Sequence, residues 1–425
     1  MSVAIVGAGY AGLAAAITLC DAGIPITLFE AARHAGGRAR SVHLAGHLLD
    51  NGQHLLLGAY HQSLSLMEKV APGSGTRWLR REPLHIEREQ AFHLHAPRLP
   101  APAHLALALL LARGLSWTER LAALRLALRL RQAKFRVPMA QTVEELLAAQ
   151  PPRVVRELWE PLCLAALNTP VNQASAQVFV NVIEASFARR RADSDFLLPA
   201  IDLGQLFPEP ALRFLGARGV GIELATPVRN LVRDATGWRF DAAQQSRNFS
   251  EIILAVGPHQ LGSFAAASPA LASIAEANGR RGFLPIHTIY FQFRQARLRR
   301  AILALDGAPG QWLIDRGQLG GPVGLFAMVI SATPPELADS APKLEALARA
   351  QLRRAQLGLG EPLWARVLAE RRATYRCLPD QPPPALEPAP GLFLAGDYCY
   401  PHFPATLEAA VRSGQAAATA LLARR

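Results

Sequence analysis

The sequence predicts an α/β fold: a parallel sheet crossed by helices, its chain interrupted by a mainly helical stretch and a further, mixed sheet. Three observations predict it. The opening stretch Val3–Glu30 reads as strand, glycine turn, helix, strand. From about Pro83 to Pro210 glycine becomes scarce, while leucine, alanine and arginine dominate. The closing stretch Gly391–Gly414 returns to strand, turn and helix. A chain of 425 residues suggests two domains, and with half of them hydrophobic it can bury a sizeable core.

The first element is Val3–Val6, an apolar run of the buried-strand kind. Gly7, Gly9 and Gly12 follow in G-x-G-x-x-G spacing, with the small Ala8 and Ala11 between them. Gly7 permits the turn, Gly9 lets a pyrophosphate approach the backbone, and Gly12 lets the helix lie close on the strand. The helix N-terminus offers free N–H groups and the positive end of its dipole to phosphates. Gly23 suits the C′ position of that helix. Ile26–Phe29 is the second strand, and Glu30 ends it 18 residues beyond Gly12. An acid there, followed by Ala31, can accept both hydroxyls of an adenosine ribose. The stretch is therefore expected to hold a dinucleotide.

Gly36, Gly37 and Arg38 come next, with Arg40 close behind. Two glycines and an arginine bring backbone and guanidinium to a second phosphate or a flavin edge. A basic surface turn would have the same composition. The pattern resembles the FAD-binding signature of the amine oxidase, protoporphyrinogen oxidase and phytoene desaturase superfamily. That resemblance implies a Rossmann-like FAD-binding domain and a discontinuous substrate domain of helices and a mixed sheet.

A hairpin is expected at Val42–Leu49, turning near Gly46, and Asp50-Asn51-Gly52-Gln53-His54 follows it. In the superfamily this region passes beside the isoalloxazine ring, so Asn51, Gly52, Gln53 and His54 are candidate contacts. His54 is also the candidate proton donor, with Tyr60 and His402 behind it.

The net charge is +12, carried mostly by arginine. Such a balance suits nucleic acid, an anionic membrane surface or an acidic ligand. Nothing resembles a nucleic-acid module, so a membrane surface is the expected partner. The four cysteines, Cys20, Cys163, Cys377 and Cys399, are far apart and form no C-x-x-C or Cys/His cluster, so no metal and a cytosolic compartment are expected. Cys20 reads as a reduced, buried thiol. The apolar N-terminus lacks the basic start of a signal peptide. Runs such as Leu105–Ala112 and Val323–Ile330 are too short to span a bilayer.

Within the helical stretch, Trp117, Leu121, Leu124, Leu128 and Phe135 fall on one helical stripe. Arg125, Arg129 and Arg136 flank one side; Arg120, Arg131 and Lys134 flank the other; Leu126 and Leu130 lie opposite. This suits an interfacial helix with arginines reaching lipid headgroups. It equally suits a helix buried on both faces. Leu158–Pro170, Asp195–Pro199 and Asp202–Pro208 carry few ionisable groups and read as the wall of an apolar cavity or as ordinary core.

The second α/β segment runs from near Ala211, with a helix at Leu212–Ala217, a strand at Ile222–Leu224 and another entered through Thr226-Pro227-Val228. In related flavoproteins a valine after this strand meets the adenine, which marks Val228. Glu251–Val256 is a buried strand that resembles the superfamily's equivalent strand over the cofactor, which marks Val256. Alternation at His287–Phe293 suggests a sheet, and Lys343–Leu357 a helix. Gln381–Pro390 reads as a stiff connector. Gly391–Asp397 is a strand ending in Gly396-Asp397, and a helix opens after Pro404. Asp397 can bind a ribityl or phosphate-side hydroxyl. The N–H groups of Ala405 and Thr406 can meet the flavin N1/O2 edge, where charge collects on reduction.

Asp50–Tyr60, Trp159–Pro170, Asp202–Pro208 and Pro404–Gly414 together resemble the squalene-associated FAD-dependent enzymes, the hydroxysqualene dehydroxylase family. The aromatic run Tyr398–Phe403 departs from that pattern. The resemblance implies loss of an allylic hydroxyl from hydroxysqualene and quenching of the cation to squalene by hydride from reduced flavin. The pathway would be squalene and hopanoid biosynthesis, with NAD(P)H as the electron source. A location on the inner face of the cell membrane follows from the insoluble substrate. A carotenoid-type desaturase, an amine oxidase and a non-catalytic lipid-binding flavoprotein are the rival readings. The expected division is 1–82, 211–265 and 386–425 for the FAD-binding domain, 83–210 for the helical insertion and 266–385 for the substrate sheet with its helices.

Overall fold

The computed structural model describes residues 2–88, 92–235 and 237–424. At its centre Val3–Val6 pairs in parallel with Ile26–Phe29 on one side and Glu251–Leu254 on the other. Gly221–Glu223 and Leu392–Leu394 complete a five-stranded parallel sheet. These runs are apolar because both faces are covered. Val3 and Ile5 face a core shared with helix Tyr10–Asp21, while Ala4 and Val6 face Trp238 and Phe240. The latter come from a three-stranded antiparallel sheet, Arg229–Arg233, Trp238–Ala242 and Gln245–Phe249. Helix Leu407–Leu422 lies directly on helix Tyr10–Asp21. A Cβ on Gly414 would fall 2.0 Å from the Ala11 carbonyl oxygen, so only glycine allows this approach. The sequence therefore brings its first and last helices together on one sheet face.

The substrate side is built on a second sheet of five strands in the order Ile302–Ala304, Trp312–Asp315, Leu325–Ser331, Phe283–Gln292, Trp364–Tyr375. It is antiparallel throughout. The mixture of strand directions thus lies between sheets, not within one. The hairpin at Ser41–Leu44 and His47–Asp50 turns at Ala45 and Gly46, both with positive φ, as a two-residue primed turn requires.

The stretch read as mainly helical holds helices Ala103–Leu111, Trp117–Gln132, Val143–Leu147, Glu160–Leu167 and Ala176–Ile183. Two of them continue in π-helical turns, Val155–Trp159 before the fourth and Glu184–Ala188 after the fifth. It also holds a hairpin, His85–Arg88 with Phe92–His95, and strand Phe196–Pro199, which pairs with Leu56–Leu57 and Leu79–Glu82. These four-residue strands are too short for their alternation to stand out from an arginine- and leucine-rich background.

Three further expectations need correction. The helix read at Leu212–Ala217 starts at Pro208, where proline suits the first turn. Leu203, Leu206 and Phe207 of the Asp202–Pro208 motif do not wall a cavity; they pack into the core of the parallel sheet. Cys20 is half-buried, not sealed.

Candidate functional site

A cavity of about 1140 Å³ runs along the carboxyl ends of the parallel strands. Its wall includes Gly7, Gly9, Ala11, Glu30, Ala31, Gly36, Gly37, Arg38, Asn51, Gly52, Gln53, His54, Val228, Val256, Gly396, Asp397, Ala405 and Thr406. Of the expected cofactor contacts only Ala8 and Gly12 stand behind this wall, for structural reasons. The Ala8 N–H donates to Glu30 Oε2 at 2.7 Å, and the Ala32 N–H donates to Oε1 at 2.8 Å, so the turn and the acid hold each other. A Cβ on Gly12 would fall 1.8 Å from the Gly7 carbonyl oxygen; Gly12 is there for packing. Gly7 has φ +107, where L side chains are strained.

Gly9 is different, and it tests whether a dinucleotide fits. Its φ is −75, open to any residue. A Cβ there would meet no protein atom nearer than Gly37 Cα at 4.0 Å. Nothing in the protein demands glycine at this point, yet the missing side chain leaves the helix N-terminus bare to the cavity. A pyrophosphate against the backbone accounts for it. The residues present therefore fit the adenine dinucleotide of FAD.

Arg38 and Asp397 were read as separate contacts. The structure joins them: Arg38 Nη2 donates to Asp397 Oδ2 at 2.5 Å, and Nη1 to the Ala373 carbonyl at 2.7 Å. Asp397 is buried, and such a pair spans the cavity wall where charge would otherwise be costly to bury. Asn51 Nδ2 donates to Glu370 Oε2 at 2.9 Å. Gln53 Nε2 donates to the Tyr290 hydroxyl at 2.8 Å, which donates to the Asp50 carbonyl at 2.9 Å. The Asp50–His54 loop is thus tied to the antiparallel sheet. Asp50 sits behind it; burial pushes its carboxyl up to about 6, against the opposing pull of Arg316.

His54 Nδ1 lies 3.2 Å from the Gly52 carbonyl oxygen. A carbonyl only accepts, so Nδ1 carries the proton in the neutral ring and Nε2 is left as an acceptor. Burial pushes the imidazole below its ordinary value despite that carbonyl.

A second cavity, of about 690 Å³, adjoins the first. Leu57, Leu105, Leu109, Leu158, Trp159, Leu162, Phe187 and Phe196 are among its walls. Both π-helical turns contribute, the first through Arg156, Leu158 and Trp159 and the second through Ser186, Phe187 and Ala188. At its outer end stand Leu124, Ala127, Leu128, Arg131 and Phe135. Helix Trp117–Gln132 buries Ala123, Leu126 and Leu130, while Trp117 is 64%, Leu121 38% and Leu128 50% exposed. Of the expected apolar stripe, Trp117, Leu121 and Leu128 face outward, while Leu124 and Phe135 are half-buried on the cavity wall. Two details differ from the sequence reading. Phe135 lies beyond the helix end, in a left-handed conformation. Arg120 turns back to the Leu115 and Leu110 carbonyls and onto the Trp117 ring, so it is no free cation.

Six residues line both cavities: Leu55, Tyr60, Ala165, Ala166, Trp312 and Thr406. Of these, sequence reasoning marked Thr406 and, as a reserve acid, Tyr60; Leu55 fell in the Asp50–Tyr60 motif, and Ala165 and Ala166 fell in the Leu158–Pro170 stretch read as cavity wall or core. It missed Trp312 and Glu370–Thr374 on the first cavity's wall. Asn168 ends its helix with φ 48, and its amide donates to Thr374 Oγ1 at 2.9 Å. The Asn-Thr-Pro signal for that helix end was visible; its partner 206 residues away was not.

The profile of the family described as flavin containing amine oxidoreductase matches residues 10–422. Hydroxysqualene dehydroxylase of Rhodopseudomonas palustris is 28% identical over 99% of this chain and 98% of its own length. Zeta-carotene desaturase of Synechocystis is 44% identical, but over 78 residues, 18% of this chain. Among solved structures, an oxidoreductase from Methanosarcina mazei superposes with a TM-score of 0.74 at 15% identity, covering 98% of this chain and 99% of that one. The match over nearly the whole chain, with a cavity shaped for a dinucleotide, places the protein: it belongs to the flavin-containing amine oxidoreductase family and is an FAD-dependent oxidoreductase.

Proposed function

We propose that this enzyme reduces hydroxysqualene to squalene, removing the allylic hydroxyl as water. The observation that carries the reading is the junction of the two cavities. An apolar space fit for a long hydrocarbon opens onto the FAD cavity through a wall that bears no carboxylate, amine or imidazole. Loss of an allylic hydroxyl leaves a delocalised cation, so the protein needs to exclude water, hold the chain and hand over one proton. The end-to-end similarity to relatives named hydroxysqualene dehydroxylase supports this choice over a carotenoid desaturase, whose named relative matches a short segment.

In this reading the glycine turn, Glu30, the Arg38–Asp397 pair, Asn51–His54, Val228, Val256, Gly396, Ala405 and Thr406 hold FAD noncovalently. Reduced FAD supplies the hydride, and NAD(P)H restores its electrons. Leu55, Ala165, Ala166 and Trp312 keep the chain against the ring and keep water out. Residues 83–210 and 266–385 form the substrate side around a cofactor domain of 1–82, 211–265 and 386–425.

The substrate is collected from a membrane. Among the described residues no helix is long and apolar enough to cross one. The outward stripe Trp117, Leu121 and Leu128 borders the outer end of the apolar cavity, with Arg125, Arg129, Arg131 and Lys134 exposed around it. We place this face on the anionic inner leaflet of the cell membrane, where such a stripe and its cations attach reversibly.

The test is anaerobic. Enzyme reduced with two electrons per flavin is mixed with hydroxysqualene. Flavin reoxidation with matching squalene supports the proposal. Reoxidation by neither hydroxysqualene nor oxygen points to a lipid-binding flavoprotein. Reduction of oxidised enzyme by a polyene precursor, or by an amine, points to the desaturase or the oxidase.

A further inference from the structure

We infer that Tyr60 donates the proton to the departing hydroxyl, an assignment that rests on the function proposed above. The reacting carbon must sit where the two cavities meet. Three of the six residues shared by both cavities carry a polar hydrogen: Tyr60, Thr406 and Trp312. The Thr406 hydroxyl is committed; it donates to the Pro404 carbonyl at 3.2 Å and accepts the Ala409 N–H at 3.1 Å as the cap of the last helix. The Trp312 indole N–H donates hydrogen bonds but is no useful acid. Among the described residues the Tyr60 hydroxyl meets no hydrogen-bond partner, and it is not among the sealed, unpaired polar atoms. His54 lines the FAD cavity alone and turns an acceptor nitrogen away from the Gly52 carbonyl.

The surroundings fix Tyr60 in place. Its N–H donates to the Leu57 carbonyl at 3.0 Å. It opens helix His61–Val70, whose Gln62 and Ser63 N–H groups donate to the buried carboxylate of Glu408. Burial, then that carboxylate, raise the phenol above its ordinary value, so it keeps its proton across the physiological range. A proton so held is available to the oxygen as it leaves late in C–O cleavage.

The step balances as follows. The C–O bond breaks and the oxygen leaves with both electrons. The Tyr60 O–H gives its proton to that oxygen, and water departs. Bound, reduced FAD would supply the hydride and its two electrons for the new C–H bond. The phenolate oxygen next to the allylic cation stabilises it until then, and regains a proton from solvent after squalene leaves.

Tyr60→Phe removes one hydroxyl that no protein group uses, so the fold and FAD content should be kept. Reduced enzyme is followed in anaerobic single turnover with hydroxysqualene and with its acetate ester, whose leaving group needs no proton. The expected result is a loss of about 100-fold or more on the alcohol, in the range of general acid catalysis, and less than about 3-fold on the ester. No loss on the alcohol overturns the assignment, and so does an equal loss on both substrates, which would mark a merely structural role. If Tyr60→Phe sheds its FAD, Tyr60→His decides. Its rate on the alcohol should fall as pH rises through the imidazole range, and a flat profile overturns the assignment. Parent enzyme that fails on the alcohol would instead refute the proposed function.

Discussion

The two cavities are made in opposite ways. The FAD cavity is walled by the glycine turns, the ends of the parallel strands and the N-terminus of the first helix, with polar side chains such as Arg38 and Asp397 paired to one another. The apolar cavity is walled by leucines, alanines and aromatics from helices, a hairpin and the second sheet. A cofactor of fixed shape and charge is met by fixed N–H groups and a rigid sheet. A flexible hydrocarbon is met by leucines, alanines and aromatics that can repack. Substitutions should therefore act sharply in the first cavity and gradually in the second.

The largest effects separate two glycines. Gly9→Val should fold and carry no FAD, because its side chain enters the cavity alone. Gly12→Val should not fold, because its Cβ would meet the Gly7 carbonyl oxygen at 1.8 Å. Circular dichroism and the ratio of flavin to protein absorbance read both outcomes. A flavin-loaded Gly9→Val would remove the case for a pyrophosphate at that turn.

Next comes the outward face. Replacing Arg125, Arg129, Arg131 and Lys134 with glutamine removes four cations, each contributing about 1 kcal/mol near an anionic leaflet. Liposome flotation should fall strongly at low salt and little at high salt, with FAD content unchanged. Equal flotation of parent and variant would mean that this helix is not the attachment.

A smaller effect is expected inside the apolar cavity. Ala106→Trp, on its wall and away from the junction, should lower kcat/KM for hydroxysqualene about tenfold and spare a shortened analogue. An equal loss on both would argue that the chain lies elsewhere.

The smallest effect concerns pH. Folded Asp50 keeps its proton up to about 6, higher than the ordinary carboxylate value of 3.8. A group that binds its proton more tightly when folded stabilises the fold at low pH, and that contribution is lost as pH rises through about 6. Asp50→Asn cannot ionise, so its Tm should gain on the parent between pH 4 and pH 7. Parallel curves would mean that the Asp50 carboxyl is not held up by burial.

What was legible in the sequence follows the same division. The cradle could be read because its demands are local: Gly7, Gly12, Val3–Val6, Ile26–Phe29 and Glu30 fall within one strand-helix-strand unit. The pairing of Arg38 with Asp397, 359 residues apart, left no local trace. Neither did Asn51 with Glu370. The junction draws on residues 55, 60, 165, 166, 312 and 406, so no single stretch announces it. Asp202–Pro208 stayed open between the two because an apolar run looks alike against a core and against a cavity. The stripe of helix Trp117–Gln132 showed its periodicity but not its direction. Only packing of Ala123, Leu126 and Leu130 decides which side faces out.

The central claim is that the apolar cavity delivers its chain to the flavin for direct hydride transfer. Enzyme reduced in deuterium oxide carries deuterium at the exchangeable flavin N5 position. Mixed anaerobically with hydroxysqualene, it should yield squalene with one deuterium on the carbon that bore the hydroxyl, one per flavin reoxidised. Squalene without that deuterium, or flavin reoxidation without squalene, would contradict the account.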